Sequence, residues 1–294
     1  MFFSKQVKAE ICANKVTKRK EKEARLYGLM LPWLSNQNKD IILIKSESEE
    51  TISEMFELIG DLTERTLKIE KIINSTKLSV HMNFEILPLF IRRIIKDDLK
   101  VKFINDYCNS EKLRVFFLQG LFLSCGRFSN PQKEYRIEFV LKNQQQVAET
   151  IYEHLHNLFF KINLTKRIDN IIIYTKDSET IEEILTYLGS IKTCFEVMNT
   201  KIYKELRNRV NRITNCDNAN IDKTICAAEI QIKKILALKK CGKFECLPQK
   251  LKKIAELRLR NPQASNSELA SMLGDTTRAA IGNSLKKLTL LNKN

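Results

Sequence analysis

The feature that most constrains this chain is an internal repeat built on two apolar helices, each with a glycine inside its hydrophobic run. Leu26-Tyr27-Gly28-Leu29 and Leu118-Gln119-Gly120-Leu121 fall at matching points of helices expected from Glu21 to Leu34 and from Glu111 to Cys125. A glycine within a helix costs about 1 kcal/mol against alanine, so its recurrence predicts two helices that approach closely. The elements after each helix also repeat. An apolar strand comes first (Asp40 to Lys45; Tyr135 to Leu141), then an amphipathic helix (Glu49 to Ile59; Gln144 to Leu158). Two strands come next, Leu67 to Ile73 with Leu78 to Met82, and Ile162 to Ile168 with Ile171 to Thr175. Asp169-Asn170 is the expected turn of the second hairpin, since both residue types tolerate positive φ. A closing helix ends each copy, Phe84 to Ile95 and Ser178 to Leu188. One αβαββα unit cannot bury its own sheet, so the repeat predicts an α+β fold, a pseudo-two-fold domain over residues 18–198 after a short N-terminal segment, 1–17.

The remainder reads as all-α. A basic stretch from Ile202 to Cys216 and one long helix from Ile221 to Lys240 make a helical linker over residues 199–245, followed by a three-helix domain, 246–294. Pro248 suits the start of its first helix, which Asn261-Pro262 stops. Ser265, with Glu268 three residues on, forms a capping box for the second. That helix ends at Gly274-Asp275-Thr276, where glycine permits the left-handed turn that sends the next helix across at a steep angle. The third, Thr277 to Leu290, offers Ile281, Leu285 and Leu288 to a core and Arg278, Asn283, Lys286 and Lys287 to its other face. Those are recognition-helix residues: Arg for guanine, Asn for adenine, lysines for phosphates.

Charge points the same way. Residues 201–294 hold 20 Lys or Arg against 8 Asp or Glu, which is +12 of the total +15. Positive charge concentrated in one segment favours a polyanion, because each phosphate neutralised releases counterions. No apolar run reaches the roughly 20 residues that span a bilayer, and Met1 to Glu10 lacks the pattern of a signal peptide, so a cytoplasmic protein is expected and no membrane partner. The eight cysteines form no CxxC pair, and His154 and His156 lie two apart on a helix, so no metal site is read and buried, reduced thiols are expected.

The segment from Glu205 to Thr224, with Arg207-Asn208 before Val210-Asn211-Arg212 and then Asn215-Cys216, Ala219-Asn220 and Lys223-Thr224, resembles the signature of the WhiA family. Ala227-Ala228-Glu229-Ile230-Gln231-Ile232 extends the match. The resemblance implies a LAGLIDADG homing-endonuclease-like domain joined to a C-terminal helix-turn-helix, in a bacterial transcriptional regulator tied to cell division, chromosome segregation or sporulation. Leu118 to Gly126 then looks like a degenerate LAGLIDADG motif, and Leu26 to Leu34 a more degenerate one.

Working nucleases of that family place a carboxylate just before the final residue of each motif, and here those positions are Cys125 and Trp33. Neither is a hard-oxygen ligand, so no catalytic, cofactor or metal residue is expected, and no small-molecule substrate. The expected DNA-contacting set is Thr276, Thr277, Arg278, Asn283, Ser284, Lys286 and Lys287, with Arg207 and Arg212 on phosphates or between domains. The family usually has a glycine and a His-Arg pair where this chain has Ala280, Asn283 and Ser284, which bears on sequence preference. The expected partner is double-stranded DNA at the nucleoid. The alternative reading is an interaction module whose N-terminal domain binds a protein while the basic tail anchors it.

Overall fold

The computed structural model describes residues 2–34, 41–46, 48–65, 72–74, 77–159 and 161–291. The chain divides into two compact units, Met1–Tyr203 and Lys204–Asn294.

The first unit is assembled around helices α2 (Arg19–Met30) and α6 (Glu111–Cys125), the two glycine-bearing helices. A Cβ placed on Gly28 would stand 2.1 Å from the Phe117 carbonyl oxygen, and one on Gly120 would stand 2.0 Å from that of Arg25. The contacts are reciprocal, as a pseudo-two-fold axis between the helices requires. Leu26, Leu29, Leu121 and Phe122 are fully buried around the crossing.

Each repeat then lays its strands and helices around this pair. In the first, β1 (Ile41–Ser46), β2 (Ile72–Asn74) and β3 (Lys77–Asn83) form an antiparallel sheet in the order β1-β3-β2. Between them runs α3 (Glu49–Thr63), started by the Ser48 hydroxyl accepting from the Thr51 amide and stopped by Glu64 at φ 54°. In the second repeat β4 (Gly126–Phe128), β5 (Ile137–Lys142), β6 (Asn163–Arg167) and β7 (Asn170–Thr175) give the order β4-β5-β7-β6, with α7 (Gln145–Leu158) after β5. Alternation along β5 buries Ile137, Phe139 and Leu141 against the helices. Closing helices are α4 (Leu89–Lys96), begun at Pro88, and α8 (Ser178–Tyr187), capped by Asp177.

Several expectations are corrected. The N-terminal segment holds a helix for which no expectation was formed: α1 (Phe2–Ala13) buries Val7 and Ile11 completely in the same core. Its Glu10 carboxylate accepts from the amides of Lys192 and Thr193 at 3.0 and 3.1 Å, capping the helix that begins at Ile191. Helix α5 (Lys100–Asn109) and strand β4 were not anticipated, the first because its periodicity merges with the preceding basic helix, the second because three residues are too few to read. The second hairpin turns on Ile168-Asp169, since Arg167 pairs with Asn170, and the positive φ falls on Ile168 at 53°. Asp40 and most of the expected strand Leu67 to Ile73 lie outside the described residues. Thiols divide: Cys108, Cys125 and Cys194 are buried, Cys12 is half-buried, and Cys216, Cys226, Cys241 and Cys246 are exposed.

Helix α9 spans Ile191–Lys240 without a break. The expected interruption between Cys216 and Ile221 is absent. Asn220 reaches back one turn toward the Cys216 sulfur at 3.8 Å, and Thr224 donates to the Asn220 carbonyl at 2.9 Å. Both bonds run along the helix, from one turn to the next.

The second unit closes on Ile235 and Leu238 of α9 together with α10 (Gln249–Arg260), α11 (Asn266–Leu273) and α12 (Arg278–Leu290). Its core is Phe244, Ile254, Ala255, Leu269, Ala270, Ile281, Leu285 and Leu288. The helical domain therefore begins within α9, ahead of residue 246.

Candidate nucleic-acid interface

Three local devices set the angle between α11 and α12. Ser265 accepts from the Glu268 amide at 3.2 Å while Glu268 accepts from the Ser265 amide at 2.6 Å, the capping box expected from sequence. Gly274 ends α11 at φ 76° and ψ −44°, a positive-φ backbone outside the left-handed helical region that costs a residue with a side chain about 1–3 kcal/mol. Thr277 opens α12, its hydroxyl accepting from the Ala280 amide at 3.3 Å.

A fourth device gave no readable signal in the sequence. Arg258 of α10 is 1% exposed, and its guanidinium donates to the Ala264 carbonyl and, at 3.0 Å, to the Asn266 side-chain oxygen. It ties the connection between α10 and α11 to the core from within. Burial pulls its pKa down, and no carboxylate is paired with it among the described residues.

On this frame Ile281, Leu285 and Leu288 are buried while Arg278, Asn283, Lys286 and Lys287 are exposed and Ser284 is half-buried. Ala279 lies one turn before Asn283, and Lys286 and Lys287 one turn after, so these share a face. Arg278 is five residues before Asn283, roughly 140° away around the axis, and stands at the first turn of the helix. Thr276 is half-buried, and Thr277 is engaged in the cap. Seven of the nine expected residues lie between Thr276 and Lys287 by sequence alone, and the helix separates them: the expected common face is corrected, because Arg278 falls on the side of Ile281 and Leu285, away from Asn283, Lys286 and Lys287. The other two, Arg207 and Arg212, are exposed on α9.

The nuclease-like unit presents a different surface at its motif ends. Cys125 is buried, its thiol donates to the Leu121 carbonyl at 3.3 Å, and burial raises its pKa to about 12. Trp33 sits in a 3-10 turn, Leu31–Trp33, partly buried against the core. No cluster of three or more His, Cys, Asp or Glu that could hold a metal occurs among the described residues. His154 is hydrogen-bonded to Asn105 at 2.8 Å and His156 stacks on Tyr152. Among the described residues, no helix is long and apolar enough to cross a membrane.

The family model of the WhiA LAGLIDADG-like domain matches residues 114–207, and that of the WhiA C-terminal helix-turn-helix domain matches residues 210–292. A protein of Clostridium novyi named "Probable cell division protein WhiA" is 32% identical over 293 residues, covering 93% of this chain and 91% of the relative. The chain belongs to the WhiA family. A relative with the same name from Caldicellulosiruptor saccharolyticus is 35% identical over 196 residues, and the aligned part spans 59% of that relative's length. The crystal structure of full-length WhiA from Thermatoga maritima shares the fold at 22% identity, with a TM-score of 0.60 over 98% of this chain and 96% of that one. The N-terminal LAGLIDADG domain of WhiA, solved alone, gives a TM-score of 0.52 at 20% identity, over 64% of this chain and 92% of that one. WhiA relatives carry the name of cell division proteins and not of enzymes, and the helix-turn-helix domain of the family implies binding to DNA.

Proposed function

We propose that this WhiA-family chain is a sequence-specific DNA-binding regulator linked to cell division or chromosome segregation, acting at the nucleoid, with a nuclease-like domain that hydrolyses nothing. The observation that carries the reading is the exposed polar face of α12, held on a capped and packed helix-turn-helix. Asn283 on that face has the donor and acceptor pattern to read an adenine edge in a major groove, Arg278, off that face at the first turn, can meet a guanine edge only from the end of the helix, and Lys286 and Lys287 reach phosphates where the helix leaves the groove. Buried Cys125 and half-buried Trp33, at the two positions where a carboxylate would be needed, themselves offer no oxygen ligand for a divalent ion. Purified protein should therefore show no EDTA-sensitive DNA cleavage.

The test of base reading is a titration on specific and scrambled duplexes at several salt concentrations. Asn283→Ala or Arg278→Ala should cost about 1–3 kcal/mol on the preferred site and little on scrambled DNA. Lys286→Ala or Lys287→Ala should weaken both duplexes alike and lower the salt slope by about 0.9. Equal losses on both duplexes for all four variants would assign the specificity to another part of the protein. Genome-wide occupancy separates this from the anchored interaction module: sharp promoter peaks belong to a regulator, diffuse coverage to an anchor.

A further inference from the structure

Helix α9 enters the second unit as a bare rod: every residue from Glu205 to Lys223 is exposed, over about 28 Å of helix. At about 100° per residue, Arg207 and Arg212 stand roughly 140° apart around its axis, and Asn208, Asn211, Asn215 and Asn218 all fall in the sector between them. From Arg207 to Asn218 that sector holds no acidic and no apolar side chain. The exposed Leu206, Val210 and Ile213 lie on the opposite side. Asparagine is a poor helix former, and among the described residues these four make no side-chain hydrogen bond that would offset the loss within the fold.

We infer that this sector of α9 is a second DNA-reading surface, which lies along a major groove with its asparagines toward base edges and Arg207 and Arg212 on the phosphates of the two walls. A helix about 10–12 Å across enters a groove about 12 Å wide only where it stands clear of its own protein, and α9 does so for about five turns. Basic-region helices enter the groove in that way. Each asparagine amide carries both the donor and the acceptor that an adenine edge asks for, and a guanidinium on either flank meets the charge of the backbone. Asn211 precedes Ile235, which is set in the core of the second unit, by about 36 Å of helix. One turn of B-DNA has about that length, so α9 contacts a block of base pairs separate from the one facing α12.

This deepens the DNA-binding reading above and rests on it, though not on base reading by α12. The test is selection by full-length protein from random duplexes of about 40 base pairs, long enough for two blocks one helical turn apart. Asn283→Ala and the pair Asn208→Ala with Asn211→Ala are run in parallel. The unaltered protein should select two blocks, of which Asn283→Ala erases one and the α9 pair the other. The α9 pair should weaken the selected duplex about tenfold or more, and one scrambled in the second block hardly at all. Arg207→Ala or Arg212→Ala should lower the salt slope by about 0.9. Alanine is the better helix former and the replaced side chains are exposed, so the melting temperature should hold or rise, and lost binding means lost contacts. Val210→Ala, on the opposite side, should change neither motif nor affinity. A single block that Asn283→Ala alters and the α9 pair leaves unchanged overturns this inference and spares α12. An equal loss from Val210→Ala overturns it too, by giving the helix to a partner on its apolar side. A motif altered by the α9 pair and not by Asn283→Ala supports it against base reading by α12, and no enriched duplex at all overturns both.

Discussion

The two units each hold one fully buried arginine, and the difference between them shows how each half of the chain is specified. Arg25, on the helix that crosses α6, donates to the carbonyls of Asn14 and Ile11 and pairs with Glu54 at 3.1 Å. It joins α1, α2 and α3 through a charge that is itself neutralised. Arg258 ties a connection in the same way, through a carbonyl and an amide, with no acid beside it. The first unit is fixed by interior contacts that leave no slack. In the second a small core supports a surface, and the chemistry that matters faces outward.

The sharpest test of that contrast is the pair Arg25→Ala and Arg258→Ala. Removing Arg25 strands the Glu54 carboxylate, whose pKa burial already pushes up, and should cost about 3–5 kcal/mol in denaturant unfolding. Replacing both partners, Arg25→Met with Glu54→Leu, should recover most of that loss, because no charge is then left buried alone. Arg258→Ala leaves a carbonyl and an amide short of a donor, and about 1–3 kcal/mol is expected. Equal costs for the two arginines would erase the distinction between the units.

Glycines give the next largest effect. At Gly28 and Gly120 a methyl group would meet backbone, not a side chain that can swing away, so the helices themselves must part. Gly120→Ala should cost about 3 kcal/mol, measured by the denaturant midpoint at unchanged slope. Gly274→Ala meets nothing within 4 Å and suffers only from its backbone at φ 76° and ψ −44°, so about 1–3 kcal/mol is expected. If Gly120→Ala proves the milder of the two, the close crossing does not hold the first unit together.

The same contrast explains what the sequence made legible. Gly28 and Gly120 could be matched because a repeat is visible without knowing what it packs against, and α6 was bounded correctly at Glu111 and Cys125. The capping box at Ser265 was equally plain, since its four residues are contiguous. Arg25 and Arg258 were not legible. An arginine reads as surface charge until the fold shows that its partners, Asn14, Glu54, Ala264 and Asn266, converge on it. The hairpin turn was displaced onto Ile168 because strand register, not residue preference, fixed its place. The continuity of α9 was missed because Asn215-Cys216-Asp217-Asn218 has poor local helix propensity, which one unbroken helix overrides. In the DNA-facing set, the residue types on α12 were readable, and so was the separation of Arg278 from the Asn283 face, since five residues at about 100° each leave them roughly 140° apart in any α-helix; the expectation of one common face missed it.

The smallest effect sets one helix cap against another. In the first unit Asp177 caps α8, accepting from the Thr180 amide at 3.0 Å and from the Lys161 ammonium at 2.9 Å. The Lys161 bond, and after it the Thr180 amide, lowers its pKa from 3.8 to about 2. A carboxyl whose folded pKa is depressed stabilises the fold above its unfolded pKa and loses that contribution as pH falls toward the folded value. In the second unit Thr277 caps α12 with a hydroxyl that does not titrate. Asp177→Ala and Thr277→Ala should each cost about 1 kcal/mol at pH 7. On acidification the cost of Asp177→Ala should shrink between about pH 4 and pH 2, while that of Thr277→Ala stays level. Urea unfolding of the three proteins at pH 7, 4 and 3 measures it. A cost for Asp177→Ala that does not change with pH would mean that the aspartate serves through its shape as a cap and that its ion pair with Lys161 adds nothing.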